Sequence, residues 1–395
     1  MPARLHLSVL WPFICLLIAG RVFWAGTAKA ETWTSNPYRG ITYITRTETS
    51  PWPLSMHIVV IEMDAPGLAF KVTPPGGTRE TVRQTTLEFV NQEHAQLGIN
   101  GHFFLPFPSD DSDANVIGLA ASEGLVYSPF EPQPIGPGYC DQSYAILPYA
   151  PALNIDHFNR ACIVHWDPNY PDNRHVQELV TLWNSLSGSA QIISNGVKTI
   201  PDYSGSPGGL SPLDGYSDEY SWYYSELRAR TCIGLSSNNE KLVLFVVDEV
   251  GLSDGMTVDQ AADILIQDYD VYNALNLDGG GSTTMVLEDP RTYVGAIVNS
   301  PSEGCLGRAT GSNLAVFAQP NSEPAMLLLL QLTAGGCFII SWPAFSEGWQ
   351  LQQNSGLAQN DWSDVLTPPT RIGDRFILNV GPGTGSRFYR LKKSL

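Results

Sequence analysis

The chain has 395 residues, 43% of them hydrophobic, so it is long enough to bury a sizeable core and to form two or three domains. Its 36 glycines and 29 prolines indicate many turns and favour a β-rich architecture over a helical one. The formal net charge of −17 disfavours a nucleic-acid or anionic-lipid surface, so we expect no nucleic-acid partner, and a phosphate-bearing ligand would need a local basic site.

The first thirty residues have the pattern of a signal peptide. Arg4 precedes an apolar stretch, and an A-x-A cleavage pattern, AKA, comes before Glu31. We therefore expect a signal peptide at 1–30 and an exported bacterial protein, periplasmic, on the cell surface or extracellular; the alternative is an uncleaved membrane anchor. The leader holds three basic residues and no acid, so the formal charge of the mature chain becomes −20. We expect no transmembrane segment in the mature chain.

Five cysteines follow the leader, and an exported protein can oxidise them. Sequence does not fix the connectivity. Our prediction pairs Cys140 with Cys162 and Cys232 with Cys305, which leaves Cys337 over. No CxxC pair or cysteine–histidine spacing of a zinc site occurs, so we predict no metal site and no cofactor.

Residues 31–320 are predicted to form one α+β domain, a mixed β-sheet domain with few helices. Its strand-like runs are rich in Val, Ile, Phe and Tyr and are bounded by Gly, Pro, Asn or Asp, as in KLVLFVVDEV and STTMVLED. Helical spacing occurs at 81–93 and 257–270, and the second segment begins with a capping box of Thr257 and Gln260. Long irregular loops are predicted at 104–115, 129–145 and 201–225.

The composition changes near residue 320, and residues 326–395 are predicted to form a small C-terminal all-β sandwich. Short alternating runs in this part carry Trp342, Trp349 and Trp362. It resembles the immunoglobulin- or fibronectin-like modules at the C-termini of many exported bacterial proteins.

The sequence GLSDG at 251–255 fits the G-x-S-x-G motif of a nucleophile elbow, between a predicted strand and a predicted helix. That arrangement needs a histidine after the serine in the chain, whereas all seven histidines precede Ser253. We interpret this loop as a turn that leads into the helix.

The sequence DGGGST at 278–283 lies between two strand-like runs. It lacks the lysine of a nucleotide phosphate-binding loop, and a strand follows it instead of a helix. Glycines in a tight turn between strands permit close backbone approach and expose N–H groups in a concavity suited to an oxyanion or a sugar face. Asp278, at the strand end, is well placed for chemistry. The simpler alternative is a bulge with a turn aspartate.

Four stretches resemble the phosphodiester glycosidase family in order along the chain. They are 98–104 (GINGHFF), 229–236 (ARTCIGLS), 242–286, which ends in LNLDGGGSTTMV, and 298–317. The resemblance covers most of the chain before the predicted sandwich. It implies a hydrolase that cleaves the bond between a sugar anomeric carbon and phosphate in a sugar-1-phosphodiester, in particular one of N-acetylglucosamine, within a carbohydrate or glycan-phosphate substrate.

Carried over position by position, the resemblance implies two groups of site residues. The catalytic group is Asp278, Arg230 and Asp248. The substrate-binding group is Asn100, Gly101, Gly279, Gly280, Gly281, Ser282, Arg308 and Asn313. The chain departs from the family's D-G-R pattern at Val250, where an arginine is expected.

The residue types suit this chemistry. Phosphate is a good leaving group, so the reaction mainly needs stabilisation of an oxocarbenium-like centre and delivery of water or a nucleophile, which we assign to Asp278. An arginine binds phosphate through two parallel hydrogen bonds, so Arg230 is the expected phosphate clamp, unless it forms a structural ion pair with Asp248. Asn100 could bind sugar hydroxyls or simply belong to a hairpin turn.

Two other functions stay open at this point. A non-catalytic surface protein could bind carbohydrate in the same glycine-loop pocket. A glycosidase acting on ordinary glycosidic bonds would need a second carboxylate as its acid, for which Asp248 and Glu249 are the candidates.

Overall fold

A computed structural model of the chain describes residues 30–132, 145–201, 222–321, 328–332, 338–344, 349–356, 361–372, 375–381 and 386–393. The predicted signal peptide, Cys140 and Cys337 lie outside these residues, as does most of the predicted loops 129–145 and 201–225. Within the described ranges, no helix has the length and apolar character needed to cross a membrane.

The largest sheet has eight antiparallel strands, numbered here in chain order. In spatial order they are β1 (Glu31–Tyr38), β2 (Ile41–Glu48), β3 (Leu54–Glu62), β17 (Lys241–Val247), β16 (Arg230–Ser236), β18 (Val271–Asn276), β14 (Ala190–Ser194) and β15 (Val197–Lys198).

Among the described residues before 322, the other strands form three smaller antiparallel sheets. One contains β20 (Val294–Ile297), β19 (Met285–Asp289), β6 (Leu97–Asn100), β21 (Asn313–Phe317) and β4 (Ala69–Val72). Another contains β10 (Leu125–Ser128), β9 (Ala120–Ser122), β13 (Asn184–Ser187), β11 (Ala152–Ile155) and β12 (Ala161–Val164). The third contains β5 (Thr81–Val82), β8 (Asp113–Val116) and β7 (Phe104–Leu105).

The central strands of the eight-stranded sheet are buried on both faces, which explains the unbroken apolar run LVLFVV in β17. Leu244 and Val246 point into a core shared with Ile99 and Met285 of the sheet that contains β6 and β19. Phe245, between them in the chain, joins a second core on the opposite face. Because side chains alternate along a strand, only a strand covered on both sides needs apolar residues at every position.

Helix α3 (Val258–Tyr269) covers that second core with Val258, Ala261, Ala262 and Leu265. Its predicted capping box is confirmed: Thr257 accepts a hydrogen bond from the N–H of Gln260, whose side chain accepts one from the N–H of Thr257. Helix α1 (Thr86–Glu93) is shorter than predicted, because Thr85 caps it and residues 81–82 form β5. A short helix, α2, spans Trp222–Ser225.

Two predictions about loops and cysteines differ from the structure. The segment 104–115 is not irregular throughout, since β7 and part of β8 lie in it. The predicted Cys232–Cys305 disulfide is wrong, because both thiols are free; Cys232 is fully buried in β16, whereas Cys305 is exposed. Cys162 is also free, so the structure gives no support to its predicted bond with Cys140.

The C-terminal part contains two antiparallel sheets. They are formed by β22 (Leu329–Leu332), β23 (Phe338–Pro343), β27 (Arg375–Val380) and β26 (Thr370–Ile372), and by β25 (Ser363–Asp364), β24 (Trp349–Asn354) and β28 (Phe388–Lys393). Ile340, Trp342 and Leu378 of the first sheet and Leu351 of the second form a common core. The predicted fold class, α+β with few helices followed by a small β-sandwich, is confirmed.

Candidate active site

A cavity of about 430 Å³ opens where the chain passes from β18 in the eight-stranded sheet to β19 in the neighbouring sheet. One part of its wall is aromatic and another is charged. The lining residues are Phe103, Phe104, Phe107, Tyr223, Arg228, Glu249, Asp278, Gly279, Gly280, Gly281, Ser302, Glu303 and Arg308. An apolar wall with a few convergent polar groups is typical of a small-molecule site.

Asp278 follows β18 directly, and its main chain is held on both sides. Its N–H donates to the carbonyl of Gly101 at 3.1 Å, and its carbonyl accepts from Nδ2 of Asn100 at 2.7 Å. Burial raises the pKa of the Asp278 carboxyl to about 6, although Arg308 and hydrogen bonds from Ser282 and Gly279 favour the charged form. A carboxyl with a perturbed pKa in a cavity is a candidate for chemistry.

The three glycines form the tight passage between the two sheets. Gly280 has φ +56°, a left-handed conformation that glycine adopts without strain. A Cβ on Gly281 would lie 2.5 Å from Nη2 of Arg308, and one on Gly279 would lie 2.9 Å from the carbonyl oxygen of Ala229. A side chain at either position would therefore collide with neighbouring protein atoms, so the packing of the turn requires glycine at both.

The sequence predicts that the N–H groups of this turn are exposed in the concavity, but three of them donate to carbonyls of the protein. The N–H of Gly280 donates to the carbonyl of Ala229 at 2.9 Å. Those of Ser282 and Thr283 close the short 3-10 turn Gly280–Ser282 by donating to the carbonyls of Gly279 and Gly280. These three donors stabilise the loop and are therefore engaged within the protein.

Arg308 is the arginine that reaches the cavity next to the glycine turn. Its Nη1 donates to Oγ of Ser282 at 3.0 Å, and its guanidinium stacks 4.4 Å from the ring centre of Phe107. It also forms a two-pronged ion pair with Glu303, in which Nε donates to Oε2 at 2.8 Å. These hydrogen bonds lower the pKa of Glu303.

Arg230, the predicted phosphate clamp, is fully buried and does not line the cavity. Its guanidinium donates to the backbone carbonyls of Met256 at 3.0 Å, Tyr223 at 2.6 Å and Glu226 at 2.7 Å. It also lies 4.6 Å from the ring centre of Tyr223. It therefore holds the segment that carries the aromatic wall, and it forms no ion pair with Asp248, since only His57 is within ion-pair distance of that carboxylate in the described chain.

Asp248 is also buried behind the wall. Its Oδ1 accepts from Nδ2 of Asn299 at 3.0 Å and from the N–H of Ser300 at 2.8 Å, and Oδ2 lies 3.5 Å from Nε2 of His57. Its carbonyl accepts a 2.6 Å hydrogen bond from Ser253, the serine of the elbow-like GLSDG motif. That serine is therefore engaged in fixing its loop, in agreement with the interpretation of a turn.

Asn100 completes a layer of buried polar residues behind the cavity. Its Oδ1 accepts from Thr231 at 2.8 Å and from the N–H of Thr284 at 3.1 Å, while its Nδ2 holds the carbonyl of Asp278. We call Asn100, Arg230 and Asp248 the support layer.

The remaining predicted residues also divide into those that contact the cavity-lining residues through their side chains and those that do not. Ser282 is buried, and its side chain contacts Arg308. Gly101 contributes only its backbone, and a Cβ there would lie 2.5 Å from Oγ of Ser312. Asn313 bonds Thr86 at the start of α1, away from the cavity. Val250, at the departure from the family pattern, is 36% exposed and does not line the cavity.

Sequence reasoning missed Glu303, Tyr223 and Phe107 and weighed Glu249 only as a possible acid. Glu249 lines the cavity, and its Oε2 accepts from the N–H of Ala229 at 2.9 Å. Glu303 lies five residues before Arg308 in the last motif, and this spacing of opposite charges is the one signal that could have indicated it.

Comparison with known proteins identifies the class. The family model described as phosphodiester glycosidase matches residues 161–317, which include β16 to β21 and the glycine turn. This match confirms the resemblance found in the motifs: residues 161–317 are similar to phosphodiester glycosidases, a class of enzymes.

Two curated relatives are human and mouse N-acetylglucosamine-1-phosphodiester alpha-N-acetylglucosaminidase. The chain is 37% and 36% identical to them, in each case over 86 residues, which are 22% of this chain and 15% of the relative. The chain thus matches less than a sixth of the length of these enzymes.

Two solved structures are also similar. A protein from Burkholderia pseudomallei K96243 has a TM-score of 0.53 at 12% identity, over 73% of this chain and 97% of that one, which shows a shared fold. The catalytic domain of the zebrafish N-acetylglucosamine-1-phosphodiester alpha-N-acetylglucosaminidase, auto-inhibited by its pro-peptide, has a TM-score of 0.46 at 19% identity, over 75% of this chain and 85% of that one.

Proposed function

We propose that this protein hydrolyses sugar-1-phosphodiesters, with N-acetylglucosamine as the first sugar to test, and that Asp278 is its catalytic carboxylate. The observation that carries the proposal is that one cavity contains a buried carboxylate, an arginine and an aromatic wall. The family match at residues 161–317 and the names of the curated relatives support the same reaction.

The reaction places few demands on the protein beyond these groups. The bond between the anomeric carbon and the phosphate oxygen breaks, and the phosphate leaves with the electron pair. The ionised Asp278 carboxylate stabilises the positive charge that develops at the anomeric carbon and directs the attacking group, and water supplies the new hydroxyl.

Arg308 takes the phosphate-binding role that the sequence suggested for Arg230. Its guanidinium is at the cavity wall, within the electrostatic reach of Asp278, whereas Nε and Nη2 of Arg230 donate to three backbone carbonyls outside the cavity lining. A planar guanidinium can bind two phosphate oxygens through parallel hydrogen bonds. Tyr223 and Phe107 provide flat surfaces against which a sugar ring or an aryl aglycone can pack.

The test compares the wild type with Asp278→Asn on an aryl N-acetylglucosamine-1-phosphodiester. We expect the wild type to release free sugar and the variant to release it at least about 1000-fold more slowly, because the neutral amide cannot stabilise the developing charge. Asp289→Asn is the matched control, since Asp289 lies on β19 outside the cavity lining and pairs with Arg291. Unchanged sugar release by Asp278→Asn would refute the catalytic assignment.

The second candidate, a non-catalytic carbohydrate-binding protein, rests on the same cavity. It would be favoured if the wild type bound the phosphodiester but released no sugar from a panel of phosphodiesters that differ in their sugar.

We further propose that the protein is exported, as residues 1–30 indicate; the intact mass of the secreted form should correspond to a chain that begins at Glu31.

A further inference from the structure

The arginine available for phosphate in the cavity already holds a carboxylate. Glu303 approaches the Arg308 guanidinium with both oxygens, which is the geometry a phosphate would adopt. The Glu303 side chain is 53% exposed and that of Arg308 is 16% exposed. The acid is therefore the more accessible partner, and it can move into solvent while the arginine stays in the wall.

This ion pair lies over the glycine turn, close to the reacting carboxylate. A Cβ on Gly281 would lie 2.5 Å from Nη2 of Arg308 and 2.6 Å from Cδ of Glu303. Both charges act on Asp278, the arginine favouring its ionised form and the glutamate opposing it. A phosphate that binds Arg308 must therefore displace Glu303 or share the space with it.

The charges of the cavity match a singly charged ligand better than a doubly charged one. Its described lining contains two arginines, Arg228 and Arg308, and three carboxylates, Glu249, Asp278 and Glu303. A phosphodiester carries one negative charge, whereas a phosphomonoester loses a second proton with a pKa of about 6 and carries two above it. Hydrolysis of the anomeric carbon–oxygen bond converts the first kind of anion into the second.

We propose that Glu303 is a specificity-determining residue of the site. A phosphodiester displaces Glu303 from Arg308, whereas Glu303 displaces a phosphomonoester from Arg308. This inference rests on the proposed function for its biological meaning: the substrate is the diester and the phosphate-bearing product is the monoester. Glu303 then selects the substrate charge and promotes release of the product.

The test measures binding by calorimetry, without turnover. The probes are phenyl phosphate, a monoester, and methyl phenyl phosphate, its singly charged diester, at pH 8. In Glu303→Gln both probes should bind more tightly because the competing carboxylate is gone. The monoester should gain about tenfold more affinity than the diester, because its second charge no longer faces Glu303. At pH 5 the monoester carries one charge, and this difference should disappear.

Two further variants separate this effect from others. Glu303→Asp keeps the charge and should keep the wild-type ratio of the two affinities. Asp263→Asn removes one negative charge from α3, where Asp263 pairs with Lys198, and should leave both affinities unchanged. A thermal melt of each variant checks folding. The melting temperature of Glu303→Gln should equal that of the wild type, because the Glu303 side chain is half exposed.

Equal gains for the two probes in Glu303→Gln, no gain for either, or no binding of either probe to any variant would overturn the inference. The proposed function fails separately. If the wild type releases no sugar but Glu303→Gln shows the expected ratio, the hydrolase proposal is lost and the role of Glu303 stands. If the wild type releases sugar but the two probes gain affinity equally in Glu303→Gln, the hydrolase proposal stands and the role of Glu303 is lost.

Discussion

The polar residues of the site form two regions that differ in what they contact. Asp278, Glu303 and Arg308 line the cavity, whereas the support layer of Asn100, Arg230 and Asp248 is at most 1% exposed and contacts backbone groups and neighbouring polar side chains. Both regions lie in the motifs that resemble the phosphodiester glycosidase family. The difference shows that a motif marks residues that hold a site as well as those that meet its ligand.

Two arginines make the comparison concrete. Arg308 binds a carboxylate at the cavity wall, and Arg230 binds three backbone carbonyls behind it. The first partner can be exchanged for a phosphate, because Glu303 is half exposed and its oxygens can bind water instead. The carbonyls of Met256 and Tyr223, which Arg230 also holds, are buried and have no such replacement, since a buried acceptor that loses its donor costs its full desolvation free energy. We therefore expect Arg308 to act as a binding residue and Arg230 as a structural one.

The largest effect that tests this division is expected from Arg230→Met. The variant leaves the carbonyls of Met256, Tyr223 and Glu226 without their donor, so we expect a loss of about 3–5 kcal/mol in the free energy of unfolding. For a chain of this size that corresponds to a melting temperature lower by about 4–7 °C, measured by calorimetry.

Arg308→Gln is the matched control, because it removes the same charge from the cavity region. It should melt within about 2 °C of the wild type, since Glu303 then binds water, and should weaken binding of the phosphodiester. The division of the two regions would be contradicted if Arg230→Met melted with the wild type and lost affinity for the phosphodiester. That result would restore Arg230 as the phosphate clamp.

Much of the fold could be predicted from local sequence. The apolar run of β17, the capping box at Thr257 and the turn at the glycines each follow from interactions within a few residues. The position of Asp278 at a strand end follows for the same reason. The start of α1 was misplaced because Thr85, a good capping residue, lies inside a segment whose spacing looks helical throughout.

The face of the sheet from which the Arg230 side chain projects is harder to predict, although the alternation of side chains along a strand indicates part of it. Arg230 and Cys232 are two residues apart in β16 and share a face, and Cys232 belongs to the core beneath α3. Thr231, between them, points to Asn100. Once β16 is assigned as a strand, the alternation of its side chains places Arg230 on the face covered by α3. Its three carbonyl partners come from segments whose positions depend on tertiary structure.

Glu303 and Tyr223 could not be predicted from periodicity. Glu303 lies in the irregular segment between β20 and β21, and Tyr223 lies in helix α2, whose four residues are too few to show helical periodicity. Their places in the cavity result from contacts between parts of the chain that are far apart in sequence. Charge spacing and aromatic clusters can suggest such residues, but only the folded chain brings them to Asp278.

A smaller effect that separates the two regions is expected from the pH dependence of stability. Burial raises the pKa of Asp278 to about 6 in the folded protein, from about 3.9 in an unfolded chain. Between these values the folded state binds more protons than the unfolded state, so this carboxyl lowers stability as the pH rises from about 4 to about 6. The full cost, no more than about 3 kcal/mol, is reached above pH 6.

Asp278→Asn should therefore be more stable than the wild type at pH 7.5, and the difference should vanish near pH 4. Denaturant unfolding at several pH values measures it, and Asp289→Asn serves as the control, because hydrogen bonds from Arg291 lower the pKa of Asp289. Sugar release by the wild type should rise over the same pH range, because the reaction uses the ionised carboxylate. If Asp278→Asn were less stable than the wild type at pH 7.5, Asp278 would belong with the support layer, and its charge would serve folding instead of catalysis.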